Sequence, residues 1–98
     1  MLEIAALAND SGVAVSPHCW NSMTVAAAAM LHVCAAIPNS EMAEIYPEYV
    51  TNCSRFASYR FNLKDSYVFL FDRSGLGVEI DIENLSAIST EHQQCNLD

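Results

Sequence analysis

Apolar positions along the chain change their spacing several times, and each change marks an element. Leu2, Ile4, Ala5, Leu7 and Ala8 recur at helical spacing and stop at Asn9-Asp10-Ser11-Gly12, where the glycine suits a left-handed helix end. About two turns with no cap in front are too short to stand alone, so the segment reads as the tail of a longer helix. Val13 to Ser16 is a short apolar run without alternation, the pattern of a strand covered on both faces. Pro17 is expected to end its pairing. From about Ser22 to Ala36 only Ser22, Thr24 and His32 break an apolar circumference, which predicts a helix covered on most sides. Asn21 or Ser22 can cap it, and Pro38-Asn39 stops it. Met42 to Tyr46 then reads as a second short strand, ended by Pro47.

Strand, helix, strand is a βαβ unit, whose strands should lie parallel through a right-handed crossover. Such strands need helices on their faces and further strands beside them, and this chain supplies only two. Residues 50 to 65 are weakly patterned. Tyr67 to Phe71 is a run of aromatic and β-branched residues, Asp72 to Gly77 a turn, and Val78 to Ile82 alternates with period two. The two runs predict a hairpin or a loop-linked strand pair. Glu83 to Ser89 is expected to form one helical turn or two, and the polar tail Thr90 to Asp98 to be loose.

Composition sharpens the picture of something unfinished. The chain has 98 residues, 52% hydrophobic and 16% charged, against about 25% charged in an ordinary domain. A small free-standing domain should be more polar than average, so the composition reads as the interior portion of a larger fold. The net charge of −8, from 12 acidic and 4 basic residues, argues against a phosphate backbone as partner. No apolar run reaches the roughly 20 residues that cross a bilayer. The N-terminus lacks a basic, signal-like layout, and a cytoplasmic location is expected. Cys19, Cys34, Cys53 and Cys95 form no close pair of the kind zinc sites use, and read as free thiols. A site built from His18, Cys19, His32 and Cys34 is the alternative. Against it, Cys34 lies more than three helical turns beyond the point where Cys19 leaves the strand.

The candidate chemistry lies where the strands end. In parallel α/β folds, residues leaving the carboxyl ends of strands form the site. His18 leaves the first strand there, and Glu44 stands late in the second. Neighbouring strands are about 4.8 Å apart, so one substrate could touch both, as an acid–base pair. Each residue has a plainer reading: His18 after Ser16-Pro17 as a turn residue bonded to backbone, and Glu44 as a solvated strand end. His32 reads as a packed helical histidine, and Cys19 and Trp20 as packing groups beside the mouth. No nucleophile elbow, phosphate loop or HExxH pattern is present.

The order V-S-P-H-C-W, then an alanine-rich helix ending L-H-V-C-A-A-I-P-N, then M-A-E-I-Y-P-E resembles the end of the enolase superfamily's catalytic barrel. The later D-S-Y-V-F-L-F-D-R-S-G-L-G-V-E-I-D resembles that chain's return into its capping domain. The likeness, to the mandelate racemase and muconate lactonizing branch with its sugar-acid dehydratases, runs from about Leu2 to Leu85. It implies an α/β fold: an incomplete C-terminal piece of a modified (β/α) barrel, followed by a β-hairpin of the cap. Residues 1–49 would be the end of the barrel, with Val13 to Ser16 its seventh strand, Ser22 to Ala36 its seventh helix and Met42 to Tyr46 its eighth strand. Residues 50–98 would return to the cap. The implied chemistry is removal of the proton next to a carboxylate, by a hydroxy-acid or sugar-acid dehydratase or racemase, with Mg²⁺ holding the enediolate. His18 matches the general base of the racemase subgroup, and Glu44 the acid facing the substrate carboxylate or the developing enediolate.

The family's metal-binding carboxylates and partner groups belong to strands outside this sequence, so the resemblance implies Mg²⁺ without ligands here and a chain inactive on its own. In subgroups that use paired lysines, the residue at the His18 position need not be a base. The competing expectation is a non-catalytic α/β module that acts by associating with another chain. The unpaired strand edges point in either case to a homo-oligomer.

Overall fold

A computed structural model describes residues 1–19, 24–46, 48, 55–58, 62–70 and 72–88. Helix α1 spans Leu2–Asp10 and starts without a side-chain cap. It ends as the sequence predicts. Gly12 N–H donates to the Asn9 carbonyl at 3.0 Å, and Val13 N–H to the Ala8 carbonyl at 2.9 Å. Gly12 sits at φ +67°, the left-handed position of a Schellman close. This turn aims the chain directly into the segment that carries His18.

Helix α2 spans Thr24–Ala36 and buries Thr24, Ala27, Ala28, Met30 and Leu31. Val25 stays 49% exposed, so the expected cover is partial. Residues 20–23, with the expected caps Asn21 and Ser22, lie outside the described residues.

The two segments joined by α2 do pair in parallel, in reduced form. Val15 bridges Ser40 and His18 bridges Glu44, each as an isolated rung. Val15 N–H donates to the Asn39 carbonyl at 2.8 Å, and Glu41 N–H to the Val15 carbonyl at 3.2 Å. The expected strands Val13 to Ser16 and Met42 to Tyr46 are therefore corrected in extent: pairing begins at Ser40 and runs past Pro17 to His18. A proline has no N–H to give, yet its carbonyl accepts from Glu44 N–H at 3.4 Å. At that rung only the acceptor is needed.

Among the described residues, Tyr67 to Phe71 and Val78 to Ile82 form neither the expected hairpin nor a loop-linked strand pair. Instead β1 (Asn62–Lys64) pairs antiparallel with β2 (Tyr67–Phe69), in register Asn62↔Phe69, Leu63↔Val68 and Lys64↔Tyr67. The two-residue turn places Asp65 at φ 51° and Ser66 at φ 65°, as a type I′ turn requires. A two-residue loop costs less closure entropy than the longer turn from Asp72 to Gly77. Ile80 pairs elsewhere, as an antiparallel bridge to Ala57. Its strand is cut short because Asp81 becomes a helix cap, accepting from Asn84 N–H at 3.0 Å. Helix α3 (Ile82–Ser86) follows, within the turn or two expected. Phe71, Ser89 and the tail lie outside the described residues.

Among the described residues, four of the seven buried hydrophobics (Ala5, Ala27, Ala28, Met30, Leu31, Ile37 and Ala57) are alanines. Each alanine buries little area, but its small side chain lets neighbouring segments approach closely. Ile45 and Tyr46 pack on Ala27 this way, which holds the segment carrying Glu44 against α2. No helix among the described residues is long and apolar enough to cross a membrane.

Candidate functional site

The pairing has a local irregularity that decides which side chains meet. From Val15 to His18 is three residues, whereas the partner rungs Ser40 and Glu44 are four apart. One extra residue is thus accommodated on the second segment, as in a β-bulge. With even spacing, the residue opposite His18 would be Ala43, a methyl group. The extra residue brings Glu44 there instead.

The result is a direct contact, His18 Nδ1 to Glu44 Oε2 at 2.8 Å. His18 and Glu44, the two residues singled out in the sequence, are brought together. Their side chains are 50% and 63% exposed, so the pair stands at a mouth open to solvent. No Lys or Arg precedes Arg55 in the sequence, and within residues 1–49 no fixed cation competes with the imidazole for this carboxylate. With Nδ1 donating to Glu44, the neutral ring carries its lone pair on Nε2. The carboxylate thus sets both the orientation and the tautomer of the imidazole, as the carboxylate of a catalytic triad does.

A recess of about 400 Å³ lies against His18 but not Glu44, and its walls include Val15, Pro17, Cys19, Met30 and Val33. A larger one, of about 700 Å³, opens between α2, residues 41–45 and the hairpin. It reaches neither His18 nor Glu44. Cys19 and Cys34 are not disulfide-bonded, and among the described residues no group of three or more His, Cys, Asp or Glu comes together to hold a cation. The alternative cluster of His18, Cys19, His32 and Cys34 is therefore not assembled. Trp20 lies outside the described residues.

Sequence reasoning missed Asn39, read only as part of a helix stop. Its Nδ2 donates to the Ala5 carbonyl at 3.0 Å and to the Val13 carbonyl at 2.9 Å. A Pro-Asn pair after a long helix signals a turn, and the asparagine's second use is invisible until α1 is seen to return beside it.

The Enolase C-terminal domain-like family model matches residues 1–85. Among solved structures, the chain is similar to the crystal structure of an enolase from the environmental genome shotgun sequencing of the Sargasso Sea, with 45% identity and a TM-score of 0.84. The match covers 91% of this chain and 24% of that one, so the chain spans about a quarter of that enolase's length. No curated protein matches. The family match spans the helix end at Gly12, the parallel rungs, the His18–Glu44 contact and the first four residues of α3, and it places this chain in the Enolase C-terminal domain-like family of the enolase superfamily.

Proposed function

We propose that His18 and Glu44 form the proton-transfer pair of an enzyme that removes the proton next to a substrate carboxylate, as a hydroxy-acid or sugar-acid dehydratase or racemase in the cytoplasm. On this reading residues 1–49 close its barrel and residues 50–98 return to its cap. The carrying observation is the 2.8 Å contact between Nδ1 and Oε2 at the end of a parallel pair. Nε2 takes the substrate α-proton: the C–H bond breaks, its electron pair moves into the carboxylate-stabilised enediolate, and an N–H bond forms. In a racemase a proton returns to the opposite face. In a dehydratase the β-hydroxyl leaves as water with a proton. Glu44 acts through the ring it orients.

The Mg²⁺ that the superfamily implies does not fit the described residues. Mg²⁺ takes near-octahedral oxygen ligands, and the donors that converge here are one carboxylate and one imidazole nitrogen. This chain's own part is the proton transfer.

The test is a chimera in which residues 1–85 replace the matching quarter of the similar enolase, assayed by deuterium exchange at the α-carbon of a panel of 2-hydroxy acids. His18→Asn should lower exchange by about 10²–10⁴-fold, and Glu44→Gln by less. Wild-type exchange in the His18→Asn chimera would show His18 to be structural, in favour of the lysine-based chemistry.

A second reading, association with another chain, is favoured by an open edge. Among the described residues the main-chain groups of Ala14 and Ser16 make no hydrogen bond, while Leu7 (73%), Val13 (54%) and Met42 (63%) are exposed. Unpaired edges and apolar patches attract further strands, and the expected partner is a second copy. Light scattering during size exclusion at micromolar concentration should give a multiple of 10.8 kDa. A clean monomer sinks this reading.

A further inference from the structure

We infer that Asn39 is a positioning residue: it pins the register that sets Glu44, and no other residue, against His18. Three bonds converge on it. Its side-chain Nδ2 donates to the carbonyls of Ala5 in α1 and Val13. Its own carbonyl accepts from Val15 N–H at 2.8 Å. Asn39 therefore grips the His18 segment on either side of Ala14, at Val13 and Val15, and ties it to α1. Ser40, the next residue, is the first rung, against Val15.

Register matters because side chains alternate along an extended chain, so a one-residue slip changes what every position faces. Slipping the second segment by one residue in either direction would put Ala43 or Ile45 opposite His18. Neither carries an acceptor for Nδ1. Two isolated rungs are a weak ladder, and the bulge between them loosens it further. A pin at the start of the pairing is what keeps the fourth residue beyond it in place.

The chemistry selects asparagine. Both amide hydrogens are used on carbonyl oxygens, which fixes the orientation of the group. Turned over, Oδ1 would face two acceptors. In the observed orientation Oδ1 is buried and makes no hydrogen bond among the described residues. A buried acceptor left unmet is unfavourable, and two donations to carbonyls at fixed positions offset it. Aspartate has the same shape and no donor, and alanine has neither.

The inference rests on the reading of the pair as catalytic only for its consequence. It is tested without substrate, so its failure is separate from that of the α-proton exchange. Long-range ¹H–¹⁵N correlation of the 98-residue chain, at a pH where imidazole is neutral, reports which ring nitrogen holds the proton. His18→Asn assigns the signal. Wild type should show His18 protonated at Nδ1. Asn39→Ala and the isosteric Asn39→Asp should both shift it to the mixed pattern of an unconstrained ring. Asp81→Ala, which removes the cap of α3 and none of the bonds that Asn39 makes, should leave it unchanged. If the Asn39 variants keep the Nδ1 proton, or Asp81→Ala loses it equally, Asn39 is a stabilising residue only and the inference is overturned. Should the Asn39 variants not fold, wild type decides alone. The two Nδ2 protons should exchange at least tenfold more slowly than those of exposed asparagines, and exchange at the exposed rate overturns the pin.

Discussion

Replacing Gly12 probes whether α1 delivers the chain to the site as described. Gly12 lies at φ +67°, and a Cβ built on it meets nothing within 4 Å. Packing therefore contributes nothing to the substitution, and only backbone conformation remains. An L-residue in the left-handed region costs about 1–2 kcal/mol, so Gly12→Ala is predicted to destabilise by about 1 kcal/mol. In a chain of this size that corresponds to a fall in Tm of roughly 4–8 °C. D-alanine at the same position prefers positive φ and narrows the unfolded ensemble. It should stabilise by about 0.4–1 kcal/mol, the usual range when a new residue suits the native backbone. The opposite signs are the point of the experiment. Urea unfolding followed by circular dichroism on the recombinant and the ligated synthetic chains measures both. If L-alanine is neutral, or D-alanine destabilises, the helix does not end in a left-handed glycine. The two bonds to Asn9 and Ala8 would then need another explanation.

Other predictions follow from the same geometry. A double-mutant cycle of His18→Ala and Glu44→Ala, read from unfolding free energies, should give a coupling of only about 0.2–1 kcal/mol, because both side chains are at least half exposed and screened by solvent. It should shrink with added salt, and a coupling above about 2 kcal/mol would contradict the solvent-open geometry. Changing Asp65-Ser66 to Asn-Gly, the pair that best suits a type I′ turn, should stabilise the hairpin and slow amide exchange at Lys64 and Tyr67. Unchanged exchange would count against the two-residue turn.

The residues that could be read in the sequence and those that could not differ in the range of the forces acting on them. Helix α2 was legible because its apolar run and its Pro38-Asn39 stop are local. Gly12 was legible because few other residues adopt its conformation readily. The convergence of His18 and Glu44 was legible through topology, since parallel strands joined by a helix bring like ends together. The rung that pairs them was not, because it depends on one residue of slack between Ser40 and Glu44. The hairpin was misread for a related reason. Tyr67 to Phe69 had two candidate partners, and Asp65-Ser66 is a weaker turn signal than the glycines at 75 and 77. Its closer partner, Asn62–Lys64, has no strand pattern of its own. The double use of Asn39 was out of reach, since its acceptors lie 34 and 26 residues away.

That one residue of slack also makes the site unequal toward insertions and deletions. Between Val15 and His18 there are three steps, and between Ser40 and Glu44 four. Losing either Met42 or Ala43 would even the count, remove the bulge and leave Glu44 on its rung. Gaining a residue in the same place would leave two to accommodate, and the added length would push the carboxylate beyond the histidine. Lineages carrying this segment could therefore shed a codon there and keep the pair, whereas adding one would break it.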